Sequence, residues 1–375
     1  MPPDDPGTMP TGAPTGAPTG APTGAPIADA DDLAQADGTG GVIHDVVAVG
    51  NALVDVLARS DDEALERLGL AKGTMALVDA GRSQVIFEQM GPTIEASGGS
   101  AANTAAGIAA LGGRAAFLGR VADDALGRTF THDIRAVGVT FDPVPAALDG
   151  EDTVTGHCLV LVTSDAERTM ATHLGVASDF DSVDVHDGHI ASARVLYLEG
   201  YLWERESAKT AMRRAIDAAH AADASVALSL SDPSCVERHR REFLALIEDD
   251  VDLLFANEDE VRLLFGGGTS FDAAVSNIEE TGILAALTRG AQGALVVTPT
   301  GPLEVPAAPV AEVVDTTGAG DLFAAGFLAG ITHGHAPADA ARLGALCAAE
   351  VISHVGARPQ ADLAALAAEK GLGID

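Results

Sequence analysis

The chain is poor in lysine, with only Lys72, Lys209 and Lys370 among its 375 residues. A P-loop kinase needs a lysine followed by Ser or Thr at the end of a glycine-rich turn, where it holds nucleotide phosphates. None of the three lysines has that setting, so the sequence argues against a P-loop. The first apolar run leads into Gly50-Asn51-Ala52-Leu53-Val54-Asp55 without a G-x-G-x-x-G pattern. A dinucleotide-binding Rossmann domain is therefore not expected either.

Cysteine pairs, basic charge and long apolar runs are also missing. Cys158, Cys235 and Cys347 are far apart and contain no Cys-x-x-Cys pair, which predicts reduced thiols in a cytoplasmic protein. No apolar run reaches membrane-spanning length, and we expect no signal peptide because a basic start and an apolar core are lacking. The formal net charge of −33 would repel nucleic acid and anionic membranes, so we expect neither as a partner.

The composition changes sharply near residue 42. Residues 11–26 repeat Thr-Gly-Ala-Pro four times, and such a tract buries little apolar area, so we predict a disordered tail over 1–42. Short apolar runs then alternate with alanine-rich helical stretches, which predicts one α/β domain over 43–375 with a mostly parallel sheet. Segments that read as strands without attached helices predict a small second sheet that acts as a lid. These segments are at about 51–60, 73–80, 93–98 and 153–175.

The most informative segment is Asp315-Thr316-Thr317-Gly318-Ala319-Gly320-Asp321. The apolar run 310–314 precedes it and an alanine-rich stretch follows, which predicts a strand, a glycine turn and a helix. Exposed N–H groups and the positive end of the helix dipole at such a turn attract an anion. Together with the carboxylate of Asp321, they supply what phosphoryl transfer to a hydroxyl needs. An ordinary capped helix start is the alternative from this segment alone.

Two segments together resemble signatures of the ribokinase-like (PfkB) family of carbohydrate and nucleoside kinases. Gly98-Gly99-Ser100-Ala101-Ala102-Asn103 resembles the first signature, and the segment 315–321 resembles the second. The resemblance covers roughly 45–370 and is nearest to the adenosine-kinase branch, through the segments 50–55, 167–175 and 199–204. It implies a three-layer α/β/α sandwich with a small β-sheet lid, which occurs as a monomer or a homodimer.

The resemblance also implies catalytic roles. Asp321 is then the base that takes the proton from the acceptor hydroxyl, and the amides of Gly318, Ala319 and Gly320 form an anion hole for the transferring phosphoryl group. Arg168 is then the lid arginine that reaches toward the phosphates on closure. The alternative for Arg168 is an exposed charge paired with its neighbour in sequence, Glu167.

On the acceptor side, the resemblance implies a site made of Asp55, Gly98, Gly99 and Asn103. Asp55 would accept hydrogen bonds from two sugar hydroxyls, and such a carboxylate rejects substrates that lack them. Gly99 would let the sugar approach the backbone next to Gly98, and Asn103 would donate to a hydroxyl. The alternative for Asn103 is a residue that only satisfies the start of a helix.

On the nucleotide side, Thr288, Gly290 and Gly293 resemble a family turn beside the ATP phosphates. The alternative is a simple hairpin. Asn257 and Glu260 match the family's N-x-x-E element, which supports Mg²⁺ largely through water. Mg²⁺ retains several waters and needs few protein carboxylates, but an N-cap asparagine at an acidic helix start would look the same.

The resemblance implies transfer of the γ-phosphoryl group from ATP, with Mg²⁺, to the 5′-hydroxyl of a purine nucleoside, above all adenosine. A kinase for ribose, fructose or a related free sugar is the alternative, because Asp232-Pro233 resembles the sugar-kinase branch. A catalytically silent binding protein on the same fold is a third. Tyr201 and Trp203 cluster in a chain with 4% aromatic residues, which predicts either a pocket wall or core packing.

Overall fold

An eight-stranded sheet forms the centre of the structure, and a second sheet has five strands. The computed structural model describes residues 44–148, 150, 153–165 and 167–374, so the predicted tail over 1–42 lies outside the described residues. The strands, numbered along the chain, are β1 (His44–Val49), β2 (Leu53–Arg59), β3 (Met75–Leu77), β4 (Ile94–Gly98), β5 (Ala115–Leu118), β6 (Gly156–Val162), β7 (Arg168–His173), β8 (Ala193–Glu199), β9 (Ser225–Ser229), β10 (Leu253–Asn257), β11 (Leu284–Thr288), β12 (Ala294–Thr298) and β13 (Gly301–Val305).

The large sheet is mostly parallel, as predicted. Its strand order is β13-β12-β11-β10-β9-β8-β1-β5. Every neighbouring pair from β5 to β11 is parallel, whereas β12 and β13 form an antiparallel edge. Parallel strands that are covered on both faces read as continuous apolar runs. Residues 46–49 of β1 show this, because they have no exposed surface.

Helices cover both faces of the large sheet, which confirms the predicted α/β/α layering. They are α1 (Asp62–Arg67), α2 (Ala80–Phe87), α3 (Ser100–Ala110), α4 (Ala125–Ala136), α5 (Asp187–Ile190), α6 (Glu206–Ala221), α7 (Pro233–Asp249), α8 (Glu258–Leu264), α9 (Phe271–Thr281), α10 (Ala319–Thr332), α11 (Pro337–Val351) and α12 (Leu363–Glu369). Alternate residues of β1 enter two apolar clusters: Val46 joins α3, α10 and α11, and Val47 joins α6 to α9. Among the described helices, none has both the length and the apolar character to cross a membrane.

The small sheet has the order β3-β7-β6-β2-β4. One of its faces packs on helices: Val54 and Leu159 enter the core with residues of α1 and α2, and His157 lies 2.6 Å from the hydroxyl of Ser83 on α2. Side chains alternate between the faces of a strand, so Asp55 lies on the opposite face. On that face, Asp55 of β2 lies directly beside Cys158 of β6. Movement of this sheet as a lid stays a prediction.

The strand predicted at 310–314 is wrong, because the described backbone forms no strand there. The sheet already ends at β13, and Pro306 and Pro309, which precede the segment, lack the N–H that a ladder needs. Val313 is 58% exposed. The irregular segment is held instead by the amides of Val314 and Asp315, which both donate to the carbonyl of Ile352.

The two helices that follow the glycine turn, α10 and α11, approach each other at backbone distance. A Cβ added to Gly326 of α10 would lie 2.7 Å from the Cα of Gly344 on α11 and 2.7 Å from the carbonyl oxygen of Leu343. Such a separation leaves no room for any side chain. The absence of a side chain at position 326 thus sets how closely α11 packs behind the helix that begins at the turn.

We expect Gly326→Ala to lower the free energy of unfolding by about 1–3 kcal/mol, because the backbones of α10 and α11 must move apart. Gly188→Ala is the matched control: Gly188 lies in α5, where an added Cβ meets no atom within 4 Å. We expect that change to stay within about 0.5 kcal/mol. Urea unfolding of both variants measures the difference, and equal stabilities would contradict the packing argument.

Candidate active site

Asp321 lies in the first turn of α10, where it accepts two side-chain hydrogen bonds from α3. Ser100 Oγ donates to Asp321 Oδ1 at 2.7 Å, and Asn103 Nδ2 donates to Oδ2 at 2.9 Å. Thr104 Oγ1 also donates to the backbone carbonyl of Asp321 at 3.2 Å. Burial raises the pKa of Asp321, and the bonds from Ser100 and Asn103 oppose that shift. The two motifs singled out in the sequence therefore meet at one carboxylate.

The glycine turn places backbone N–H groups beside this carboxylate. Gly318 caps α10 in the left-handed region, with φ 79° and ψ 0°, and a Cβ there would lie 2.8 Å from the Cβ of Ala357. Glycine is needed at this position for both reasons. Gly320 is exposed and faces open space. Its N–H lies in the first helical turn, where backbone donors have no acceptor within the helix.

One of the three amides expected in the anion hole is already engaged. The N–H of Ala319 donates to the carbonyl of Thr316 at 3.2 Å and closes the turn. A ligand would have to share this donor or displace its bond, whereas the N–H of Gly320 lies in the first helical turn, where it has no acceptor within the helix. The cradle in this structure is thus narrower than three free amides would make it.

Asp315 connects the turn to the small sheet. Its Oδ1 accepts the N–H of Thr317 at 3.0 Å, and its Oδ2 accepts the N–H of Gly356 at 2.9 Å. Nη2 of Arg168 on β7 lies 2.6 Å from Oδ2, and the two side chains are only 9% and 5% exposed. The alternative of an exposed Arg168 paired with Glu167 is therefore wrong. The arginine expected to reach the phosphates is instead held beside the turn.

Asp55 and the first glycine pair lie together, as the resemblance implied. A Cβ added to Gly98 would lie 2.6 Å from Oδ2 of Asp55, and one added to Gly99 would lie 2.2 Å from the carbonyl of Asn51. Gly99 also has φ +96°, so both positions require glycine. Burial raises the pKa of Asp55 to about 6, against the opposing charges of Arg358 and Arg168.

The amide of Asn103 donates one hydrogen bond to Asp321 in this structure, and donation of its second N–H to an acceptor hydroxyl stays a prediction. The Oδ1 of Asn103 is buried and has no hydrogen-bond partner among the described residues. An unpartnered buried acceptor is costly, so the position favours a ligand that can donate to it. A hydroxyl group is such a ligand.

The residues expected near ATP end two adjacent strands. Asn257 closes β10 and Thr288 closes β11, and the two residues are partners in the parallel ladder. Gly290 and Gly293 follow with φ +54° and +86°, in a short turn that leads into antiparallel β12. The hairpin that was the alternative prediction is therefore present. It leaves the turn at the carboxyl edge of the parallel strands, where α/β folds bind ligands.

Asn257 and Glu260 form a complete capping box at the start of α8. The Asn257 N–H donates to Glu260 Oε2 at 2.9 Å, and its Nδ2 donates to Oε1 at 2.5 Å. Burial raises the pKa of Glu260 to about 7. With both oxygens engaged and the side chain 5% exposed, the pair does not fit direct coordination of Mg²⁺. It fits only a contact through water, as the resemblance implied.

Two charged residues of the site were not predicted from the sequence. Glu199 ends β8, is 1% exposed, and accepts Asn51 Nδ2 and the N–H of Ala101, both at 2.8 Å. An acid at the end of a buried apolar strand could have revealed it. Arg358 contacts Ser97, which precedes the first glycine pair. No local pattern marks Arg358, because its partners lie far away in the chain.

Of the aromatic cluster, Trp203 belongs to the core. It has no exposed surface, its Nε1 donates to Glu242 at 2.8 Å, and its ring lies 6.3 Å from that of Phe243. A pocket wall at Trp203 is therefore wrong. Tyr201 is half-buried, and its pKa is raised by burial and by the charge of Asp232.

Comparison with known proteins agrees with this geometry. Residues 82–363 match the family described as pfkB family carbohydrate kinase. Adenosine kinase of Saccharomyces cerevisiae is 30% identical over 83% of this chain and 95% of its own length. The adenosine kinase structure from Sinorhizobium meliloti is 46% identical, with a TM-score of 0.82 over 88% of this chain and 99% of that one. A probable sugar kinase structure from Rhizobium etli is 42% identical, with a TM-score of 0.83 over the same shares.

The fold and its relatives define an ATP-dependent kinase that acts on a nucleoside or a sugar. More particularly, the chain belongs to the pfkB family of carbohydrate kinases, and within it the adenosine kinases are among its similar relatives.

We expect Asp315→Ala to lower the free energy of unfolding by about 3–5 kcal/mol, because it leaves Arg168 buried without its counter-charge. It also removes the acceptor of two backbone N–H groups. The control is Asp339→Ala, which breaks a pair with Arg342 whose side chains are 46% and 59% exposed. We expect a loss of about 1 kcal/mol or less there. Urea unfolding measures the loss for both variants. Similar losses would show that the buried pair of Arg168 and Asp315 stabilises the fold no more than the exposed pair does.

Proposed function

We propose that the chain transfers the γ-phosphoryl group of ATP to the 5′-hydroxyl of a purine nucleoside, with adenosine as the first candidate. The observation that carries this proposal is an apolar row next to Asp55 on the same face of the small sheet. Its members share one cross-strand register; they are Ile94, Leu57, Val160, Met170 and Met75.

The two ends of this apolar row are available for contact, whereas Val160 at its centre is only 2% exposed. Ile94 is 73% exposed and Met75 is 42% exposed, and neither Val160 nor Met170 belongs to the two main apolar clusters. Leu57 follows Asp55 by two residues and so points the same way. A ribose whose hydroxyls reach Asp55 would direct an attached base along this row, where a flat apolar ring finds contact. A free sugar has no group to place there.

The relatives support the same reading. The yeast and Sinorhizobium meliloti proteins are adenosine kinases. The second candidate is a kinase for a free sugar, because a relative of comparable similarity, from Rhizobium etli, is a probable sugar kinase. The three cysteines are free and buried, which supports the proposed cytoplasmic location.

The proposed reaction uses Asp321 as the base. Its carboxylate, held by Ser100 and Asn103, takes the proton of the 5′-hydroxyl as that oxygen attacks the γ-phosphorus. The new oxygen–phosphorus bond forms while the bond to the β-phosphate oxygen breaks, and ADP leaves. The N–H of Gly320 and the positive end of α10 stabilise the charge on the transferring group. Arg168 would exchange Asp315 for a phosphate when ATP is bound.

The nucleotide would lie over the ends of β10 and β11. In the turn 288–293, the N–H groups of Arg289, Gln292 and Gly293 already donate within the turn, so the phosphates would contact its remaining backbone N–H groups. Asn257 and Glu260 would hold the waters of Mg²⁺, which neutralises phosphate charge when it is bound. In a chain with a net charge of −33, such local positive groups are needed before a polyanion can bind.

The direct test is a panel of acceptors with ATP and Mg²⁺: adenosine, inosine, guanosine, ribose and fructose. We expect the highest kcat/KM with a purine nucleoside. Asp321→Asn should lower kcat about 10²–10⁴-fold without unfolding the chain, because the amide cannot take the proton. Faster turnover of ribose or fructose would favour the sugar kinase, and no turnover of any acceptor would favour a silent binding protein.

The pKa of about 6 for Asp55 predicts how acceptor binding depends on pH. Below that pH the carboxyl group is protonated and loses acceptor capacity, so KM for the nucleoside should rise about tenfold per pH unit as pH falls. KM for ATP, measured in the same assays, is the control and should not follow this curve. Asp55→Asn should bind weakly at every pH. A nucleoside KM that stays flat from pH 5 to 8 would remove Asp55 from the acceptor site.

A further inference from the structure

A short segment between α11 and α12, residues 356–358, contacts both glycine motifs. The N–H of Gly356 donates to Asp315 at 2.9 Å. Ala357 packs against the turn, since a Cβ on Gly318 would lie 2.9 Å from the Cα of Ala357. Arg358 then extends to the other motif. These residues follow the second motif by about forty positions and lie between it and the first.

The guanidinium group of Arg358 spans the connection from β4 to α3. Its Nε donates to the carbonyl of Ser97 at 3.3 Å, and Nη2 lies 3.2 Å from the Ser97 hydroxyl. Nη1 donates to the carbonyl of Ala102 at 3.0 Å. Ser97 precedes the two glycines that make room for Asp55 and Asn51, and Ala102 lies in the first turn of α3 with the residues that hold Asp321. One planar group with fixed donors thus braces both ends of this segment.

The hydrogen bonds of Arg358 go to neutral oxygens, and three carboxylates act on its charge from beyond ion-pair distance. Asp55 on β2, Asp321 on α10 and Asp133 on α4 oppose the lowering of its pKa, which burial brings to about 10. Asp133 also accepts the N–H of Ser97 at 3.3 Å. The other charged or titratable groups around Asp55 are Arg168, Asp315 and Cys158. Those that interact with Asp321 are Glu199, Tyr197 and Tyr201. Arg168 is already paired with Asp315, which leaves Arg358, among the described residues, as the cation whose charge acts on both Asp55 and Asp321.

We propose that Arg358 is a positioning residue whose buried positive charge keeps two carboxylates, the acceptor-binding Asp55 and the base Asp321, in place and ionised. The inference rests on the proposed phosphoryl transfer for its catalytic consequence. Its electrostatic part depends only on the contacts and burial of these residues.

The test compares wild type with Arg358→Gln, Arg358→Lys and the control Arg342→Gln on the exposed face of α11. The first readout is kcat/KM against pH with the best acceptor. Arg358→Gln should move the acid limb to higher pH by about one unit or more, because both carboxylates lose a nearby cation. It should also lower kcat/KM at neutral pH about 10- to 100-fold through loss of position. Arg358→Lys should keep the limb near that of wild type, and Arg342→Gln should change neither value.

The second readout needs no acceptor. The folded pKa of Asp55 is about 6, above its unfolded value of about 3.9, so ionisation costs stability as pH rises between those values. Removal of the arginine raises the folded pKa further and extends this loss to higher pH. The Tm deficit of Arg358→Gln relative to wild type should therefore be larger at pH 8 than at pH 5. Lost hydrogen bonds alone would give the same deficit at both.

The outcomes are separable. An unshifted acid limb together with equal Tm deficits at pH 5 and 8 would overturn the inference. If wild type phosphorylates no acceptor, the proposed function fails while the Tm comparison still decides the role of the charge. If Arg358→Gln does not fold at either pH, the deciding measurement is whether the double variant Arg358→Gln with Asp55→Asn folds. Folding restored by removal of the stranded carboxylate supports the inference, and no restoration overturns it.

Discussion

The pair of hydrogen bonds that Ser100 and Asn103 donate to Asp321 is the interaction on which the rest of the site depends. The donors and the acceptor are separated by 221 and 218 positions in the chain. They meet because α3 and α10 both begin at the carboxyl edge of the parallel sheet, where loops of α/β folds converge. The bonds orient both oxygens of Asp321 and favour its ionised form, whereas burial disfavours that form.

A second constraint is the balance of charge in a strongly acidic chain. Asp55, Asp315 and Asp321 are all buried or half-buried near the turn, and the cations that face them are Arg168 and Arg358. An ionised carboxylate in this setting is costly unless it is paired or hydrogen-bonded. Because lysine is scarce, arginine has to balance these carboxylates. Its guanidinium group can donate hydrogen bonds to the backbone and at the same time offset the negative charge of nearby acids.

A third feature is the surface of the small sheet. On one face, the row of side chains that contains Asp55 is polar, and the next row, which contains Leu57, is apolar. One strand provides both Asp55 and Leu57, so a carboxylate and an apolar side chain lie side by side on the same face of the sheet. The opposite face packs on α1 and α2, which leaves the site-facing side free to specialise.

The amino-acid sequence by itself determined the layered α/β fold and the turn around Asp321, because buried apolar runs and glycine spacing are local patterns with few solutions. It also held a misleading pattern at 310–314, where the residues form no strand because two prolines precede them and the amides of Val314 and Asp315 donate to Ile352 instead. Only the tertiary structure decided that Arg168 pairs with Asp315, that Trp203 is core, and that Arg358 and Glu199 support the site. Those contacts join residues far apart in the chain, and their energies depend on burial, which no local pattern encodes.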